Sequence, residues 1–304
     1  MSCGESSVVI VGGGTMGGDI ALLFALGGWN IYIVEPVLEQ RKTLPTRIRH
    51  KLQELCAEDV LDRFMLKQSL EDVPWDGIDI VVECVIEDLP VKQKLFNKLV
   101  TYSPANIPLT SNSSGFPISW IGEGLVTQQR MLGLHFFMPA HIIPLVEIVS
   151  SAETDPSITQ HVTEIMKLLG KRPVHVKRDI PGFLANRLQH ALIREAISLV
   201  EKGIATPEDI DTAVQYGFGF RYAAAGPLLQ KDLSGLDILC TVATSIYPDL
   251  CNDKVPSAYL TDKVASGHTG MKSMKGFYDW DRKRISSESA RYEETLKEVL
   301  DILK

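Results

Sequence analysis

The sequence predicts an α/β protein: a doubly wound parallel β-sheet over residues 1–178, followed by an all-α segment over 179–304. Three observations predict this. Short apolar runs alternate with longer stretches of helical spacing through the first half. A glycine-rich turn joins the first apolar run to the first helical stretch, and strand-like runs cease near residues 177–181.

Taken in order, the strand-like runs lie at 7–11, 31–34, 78–82, 107–110, 131–134 and 145–149, each short and rich in β-branched side chains. Continuous apolar runs suit strands buried on both faces. The stretches between them, at 16–26, 38–55 and 91–102, have helical periodicity, and this alternation implies a sheet covered by helices on both sides. Beyond Pro181 a periodic segment runs to about Lys202 and is ended by Gly203. Thr206-Pro207-Glu208-Asp209 then reads as an N-cap, a proline at the first helical position and an acid at the third. Further helices are expected over 228–246 and 288–303.

A chain of 304 residues can build two cores. Apolar residues make up 45% and charged residues 23%, an ordinary globular balance. The formal charge of −7 argues against a nucleic-acid partner, which asks for a basic face that displaces counterions from phosphates. No run approaches the roughly 18 apolar residues of a membrane span, and the N-terminal residues lack the charged and apolar regions of a signal peptide. The 5 cysteines (Cys3, Cys56, Cys84, Cys240 and Cys251) are odd in number and lack a CxxC pair. They read as reduced thiols, so the expected location is cytoplasmic, with no metal site.

Gly12, Gly14 and Gly17 stand in GxGxxG spacing directly after the first strand. Glycine at the first position makes the tight turn, at the second lets backbone approach a pyrophosphate, and at the third lets helix and sheet pack closely. Thr15 and Met16 open the following helix, whose free N–H groups and positive dipole end suit phosphate. Glu35, 18 residues after Gly17, ends the second strand, where a carboxylate accepts hydrogen bonds from ribose hydroxyls and repels a 2′-phosphate. The spacing therefore predicts a Rossmann-type dinucleotide domain with NAD preferred to NADP. Arg41 and Lys42, close by, soften that preference.

The strings VGGGTMG, LTSNSSG, GLHFFMPAHIIPLVEI and DIPGFLANRLQHALIREAISLVEKGIATPEDIDTAV together resemble the 3-hydroxyacyl-CoA dehydrogenase family over residues 7–280. The resemblance implies NAD-dependent interconversion of a 3-hydroxyacyl substrate and its 3-oxo form. It implies a His135–Glu147 pair for the proton chemistry, with Ser114 and Asn186 on the substrate oxygen, and a homodimer formed through the helical domain. Physical chemistry is consistent with those roles. Oxidising an alcohol requires a base, and histidine titrates in a useful range. His135 ends an apolar strand where ligands of open parallel sheets bind. Ser113 and Ser114 follow a strand end and also suit a turn. Asn186 shares a helical stripe with His190, Ile193, Ile197 and Val200, and an amide on a buried stripe needs a partner. His141 is the rival base.

Two departures stand out. Where relatives acting on CoA thioesters carry HFFNP, this chain has Met138 in the fourth place. The string GFRYA…GPL, residues 219–228, is similar instead to the lambda-crystallin and gulonate dehydrogenase branch and to pyridine-ring aldehyde-acid dehydrogenases, which act on free carboxylates. Arg221 in that string is either a carboxylate ligand with its planar fork or a surface salt-bridge arginine. Arg41, Lys42, Arg47, Arg49 and Lys51 form a basic run that reads as a solvated helix face, although in CoA-using relatives this region meets CoA phosphates. Three other readings fit the residues less well. A lysine-dependent hydroxyacid dehydrogenase expects lysine at position 182, which is Gly. A non-enzymatic, crystallin-like NAD-binding protein would tolerate loss of His135 or Glu147, and a scaffold would have no use for Glu35.

Overall fold

Eight strands form one sheet in the computed structural model, which describes residues 6–303. The strands are β1 (Ser7–Val11), β2 (Asn30–Val34), β3 (Phe64–Lys67), β4 (Ile80–Glu83), β5 (Leu109–Ser111), β6 (Met131–Phe136), β7 (Leu145–Val149) and β8 (Arg172–Val176). Their spatial order is β3-β2-β1-β4-β5-β6-β7-β8, so the winding reverses between β1 and β4. Every neighbouring pair is parallel except β6 and β7. That exception is the one departure from the parallel sheet that strand–helix alternation implies. Residues 137–144 are too few for a crossover back to the same edge, so β7 returns antiparallel.

Two packed layers explain the continuous apolar strands. Val8 and Ile10 of β1 face one core with helix α1 (Thr15–Leu26) and helix α2 (Leu38–Glu54), while Val9 and Val11 face the other with Phe96 and Leu99 of α3 (Leu89–Tyr102). Helix α1 buries Ile20, Leu22, Leu23 and Phe24, side chains on more than one face, as a helix deep in the core does. Helix α2 buries only Leu44, Ile48 and Leu52, spaced i, i+4, i+8. Asp88 caps α3 by accepting the Val91 N–H at 2.9 Å. A short helix α4 (Ile118–Ile121) follows β5, and α5 (Pro156–Leu168) links β7 to β8.

The strands missing from the sequence reading are the two edges. β3 (FMLK) has no β-branched residue, and β8 (RPVHV) opens with arginine and proline, as edge strands often do. Helix α6 spans Ala185–Glu201, four residues later than Pro181. Gly182 (φ 75°) and Phe183 (φ 48°) adopt left-handed backbone there and form a turn ahead of it.

Next come α7 (Pro207–Thr212), a π-helical turn over Ala213–Gly219, α8 (Arg221–Ala224), α9 (Pro227–Ser234), α10 (Leu236–Ile246), α11 (Ala258–Ala265) and α12 (Arg282–Ile302). Thr206 caps α7 in a reciprocal box with Asp209, as its sequence signature requires. The continuous helix expected over 228–246 is two helices, broken at Gly235, whose φ of 95° no helix accommodates. The chain divides into two compact units, Met1–Arg187 and Leu188–Lys304. Cys3 lies outside the described residues; Cys56, Cys84, Cys240 and Cys251 are free thiols. Among the described residues no helix is long and apolar enough to cross a membrane.

Candidate active site

The glycine turn sits where β1 and β4 diverge. Gly12 has φ 105°, and a Cβ there would lie 2.6 Å from the Cys84 carbonyl oxygen. A Cβ on Gly17 would lie 1.9 Å from the Gly12 carbonyl oxygen, so both positions exclude any side chain. Gly14 differs: an added Cβ would meet nothing within 4 Å. Gly14 is also the N-cap of α1, with no side chain bonded to the helix end, and Thr15 and Met16 begin the first turn beside that open space. Glu35, 6% exposed, accepts the Gly13 N–H at 2.7 Å on Oε2 and the Val37 N–H at 2.8 Å on Oε1. An open, uncapped helix N-terminus with a carboxylate alongside fits a dinucleotide's pyrophosphate and ribose.

The basic run on α2 is a solvated face only in part: Lys42 and Arg49 are exposed, whereas Arg41, Arg47 and Lys51 are half-buried. Arg41 Nη1 donates to the Glu35 carbonyl at 2.7 Å and the Pro36 carbonyl at 3.1 Å, and Arg47 Nη2 donates to the Gly14 carbonyl at 3.0 Å. Lys51 pairs with Asp19, which is buried on α1. Lys42 pairs with Glu39 within the helix at 3.2 Å. The helical period brings 47 and 51 to the face that meets the glycine turn, which no count of charges discloses.

His135 on β6 and Glu147 on β7 are directly opposite in the antiparallel register, both buried. His135 Nδ1 lies 2.7 Å from Glu147 Oε2, and Nε2 lies 3.2 Å from Ser114 Oγ. An ionised carboxylate only accepts, so Nδ1 carries the hydrogen and Nε2 keeps its lone pair. The other Glu147 oxygen, Oε1, accepts the Leu184 N–H at 3.1 Å and the Ala185 N–H at 2.7 Å, at the start of α6. Burial pushes the Glu147 carboxyl up; the hydrogen bond from His135 and the two backbone N–H groups outweigh this and hold it below its usual range. Phe137 packs edge-on to His135 with ring centroids 4.6 Å apart, and Phe183 at 5.4 Å.

The two serines separate cleanly. Ser113 is buried, donates to Glu87 Oε1 at 2.5 Å and accepts the Phe116 N–H, a turn-forming role. Ser114 is exposed with its hydroxyl toward His135. Its loop is held from below by charges the sequence reading did not single out. Glu87 Oε1 also accepts the Ser114 and Gly115 N–H groups at 3.1 and 3.0 Å. Buried Lys92 bridges Glu87 (3.3 Å) and buried Glu83 (2.7 Å), and Glu83 accepts the Ser111 hydroxyl at 2.6 Å. Burial raises the Glu87 carboxyl, but the Ser113 hydroxyl and Lys92 bring it below its usual value. An acid at a strand end, a second four residues on and a lysine in the next helix were the available signal.

Asn186 is the second residue of α6, half-buried, and no hydrogen bond among the described residues goes to its amide. Its stripe is not the buried one expected: His190 is exposed and Ile193 is 39% exposed. His141 lies beside Asp19 of α1, its Nδ1 3.9 Å from Asp19 Oδ2. Met138 is 64% exposed. Arg221 is exposed at the start of α8, in the second compact unit.

A doubly wound sheet with an open glycine turn at its reversal point, followed by a helical domain, defines here an NAD-dependent dehydrogenase acting on hydroxyl groups. Residues 7–180 match the NAD binding domain of 3-hydroxyacyl-CoA dehydrogenase and residues 182–280 its C-terminal domain. The chain belongs to the 3-hydroxyacyl-CoA dehydrogenase family. It is 30% identical to the 5-formyl-3-hydroxy-2-methylpyridine 4-carboxylate 5-dehydrogenase of Mesorhizobium japonicum, over 97% of this chain and 98% of that protein. A solved 5-formyl-3-hydroxy-2-methylpyridine 4-carboxylic acid 5-dehydrogenase, described as an NAD-dependent dismutase, superposes with a TM-score of 0.89 at 29% identity, over 99% of both chains. The (S)-3-hydroxybutyryl-CoA dehydrogenase of Ralstonia eutropha reaches 0.74 at 28% identity, over 92% of this chain and 100% of that one.

Proposed function

We propose that this chain oxidises a small hydroxy acid, or the hydrate of a ring-aldehyde acid, bearing a free carboxylate and no CoA. The observation that carries this is the engagement of the α2 cations: Arg41, Arg47 and Lys51 bond to groups of their own chain. Met138, apolar and exposed, supports it, as does the higher full-length likeness to the pyridine-acid enzyme. The second reading, a 3-hydroxyacyl-CoA substrate and a part in fatty acid metabolism, follows the family's general activity.

In this proposal His135 Nε2 takes the hydroxyl proton as the carbinol carbon is oxidised. Glu147 keeps the Nδ1 hydrogen in place and stabilises the imidazolium that forms. The Ser114 hydroxyl and the Asn186 amide donate to the substrate oxygen. A hydrated aldehyde presents the same O–H and C–H as a secondary alcohol, so one pair of side chains serves both substrate types. NAD, when bound, accepts the hydride. Gly12, Gly14, Thr15, Met16 and Gly17 hold its pyrophosphate, and Glu35 its ribose. Arg221 binds the substrate carboxylate through its fork.

Residues 1–178 serve the cofactor, and 179–304 serve substrate binding and dimerisation in the cytoplasm. For the dimer, Leu228, Leu229, Leu233, Leu236, Ile238 and Tyr247 are each at least 56% exposed, more apolar surface than a lone helical unit ordinarily leaves in water.

The test is an NADH-absorbance screen of acetoacetyl-CoA against free hydroxy acids, keto acids and ring-aldehyde acids. Turnover confined to free acids, and reduced by Arg221→Ala, supports the proposal. Turnover confined to the CoA ester rejects it in favour of the second reading.

A further inference from the structure

Residues 137–144 connect the strand bearing His135 to the strand bearing Glu147, so their conformation bears on both. The connection carries Phe137, packed on His135, and exposed Met138. Within it, the backbone ties among the described residues are the Ile142 and Ile143 N–H groups on the Pro139 carbonyl, at 3.1 and 3.0 Å. What holds it from outside is Lys171, the residue preceding β8. Lys171 Nζ donates to the Ala140 carbonyl at 2.5 Å and to the Ile143 carbonyl at 2.8 Å. The next residue, Arg172, donates its backbone N–H to the Pro144 carbonyl at 2.8 Å. Two consecutive residues thus fasten three carbonyls of one connection.

The lysine is an expensive way to do this. Its side chain is 5% exposed, and among the described residues it forms no ion pair. Burial lowers its ammonium to about 8. Desolvation penalises a buried ammonium without a counter-ion, whereas methionine fills similar space without that penalty. A cation kept there answers to the carbonyls it binds.

We propose that Lys171 is a positioning residue of the dehydrogenase site: it clamps the 137–144 connection, and so holds Phe137 against His135 and sets where Met138 stands. The proposal rests on the reading of His135 and Glu147 as the acid–base pair. Lys171 touches neither reacting group and acts through the connection alone.

The experiment compares wild type, Lys171→Met and Lys171→Arg in the full chain. Hydrogen exchange of the 137–144 peptide reads the clamp. NADH affinity by fluorescence and kcat on the substrate the wild type accepts read its consequence. In Lys171→Met, exchange in that peptide rises while β1 and α1 stay protected. NADH affinity stays within about twofold, and kcat falls roughly ten- to hundredfold, the loss expected for misplacement by about 1 Å. Lys171→Arg, which restores a cationic donor, recovers most of the loss. Unchanged exchange, or raised exchange with kcat intact, overturns the proposal, as does an arginine variant that recovers nothing. If Lys171→Met does not fold, Lys171→Gln is read by the same criteria, and failure of both to fold assigns the residue to stability alone and rejects a positioning role. A wild type inactive across the whole panel defeats the proposed function instead, and the exchange arm still reports on the clamp.

Discussion

At the scale of single residues, the His135–Glu147 pair proposed for the acid–base chemistry is organised by one carboxylate that serves two neighbours. Oε2 holds the imidazole hydrogen on Nδ1, and Oε1 holds two N–H groups at the start of α6. His135→Gln is expected to leave NADH binding unchanged and to lower kcat by about 10² to 10⁴. Stopped-flow turnover with parallel NADH fluorescence checks this, and a kcat equal to wild type would refute the role. Glu147 also makes a pH-dependent contribution to stability. Its folded carboxyl titrates below its ordinary value, so its stabilisation is complete above that value and fades as the pH falls through the lowered one. Thermal unfolding of wild type and Glu147→Gln from about pH 7 to about pH 3 should show a gap that narrows in acid. A gap that widens in acid would contradict the sign of the shift. Of these residues, the family-like strings pointed to His135, Glu147, Ser114 and Asn186. Nothing local pointed to the distinction between Ser113 and Ser114, which depends on where Glu87 sits.

At the scale of elements, the β1–α1 turn makes a sharp prediction because its glycines meet different surroundings. A side chain at Gly17 would strike the Gly12 carbonyl, whereas one at Gly14 would stand in open space. Gly17→Ala should therefore lower Tm and weaken NADH binding together. Gly14→Ala should keep its Tm within about 2 °C and weaken NADH binding about tenfold, or 1.4 kcal/mol. Calorimetry and fluorescence titration distinguish the two, and a destabilised Gly14→Ala would mean the open face is not where ligand approaches. The turn was legible because its three glycines follow the first strand directly and the acid stands at a characteristic spacing, 18 residues after Gly17. The edges β3 and β8 were not legible. β3 is short and has no β-branched residue, β8 opens with arginine and proline, and pairing to a neighbouring strand is what makes them strands. The start of α6 moved for a similar reason. Gly182 and Phe183 are held left-handed in the turn whose end bonds to a strand residue 37 positions earlier in the chain.

At the scale of the whole molecule, the exposed apolar side chains of α9 and α10 lead to an expectation about assembly. Sedimentation equilibrium should give a mass twice the 33.7 kDa of one chain. Leu233→Glu, a charge set among those side chains, should shift it toward the monomer at equal concentration. A wild-type mass of one chain at all concentrations would remove the dimer from the proposal. The division into a dinucleotide domain and a helical domain was readable from the change of pattern past residue 177. The reversal of β7 was not, because an antiparallel return shows only as a short connection between two ordinary apolar runs.

The sequence by itself determined the class of the protein. Strand alternation, the GxGxxG turn and Glu35 are local patterns, each set by steric or hydrogen-bonding demands on nearby residues, and they suffice for an NAD-binding α/β domain; the family-like strings around His135 and Glu147 added the dehydrogenase. Tertiary structure decided how the charges are used. Arg47 turns to Gly14, Lys51 to Asp19, Lys92 to Glu83 and Glu87, and Lys171 to the connection between His135 and Glu147. A charged side chain's role depends on which distant partner desolvates and neutralises it, and that partner is set by the packing of the fold.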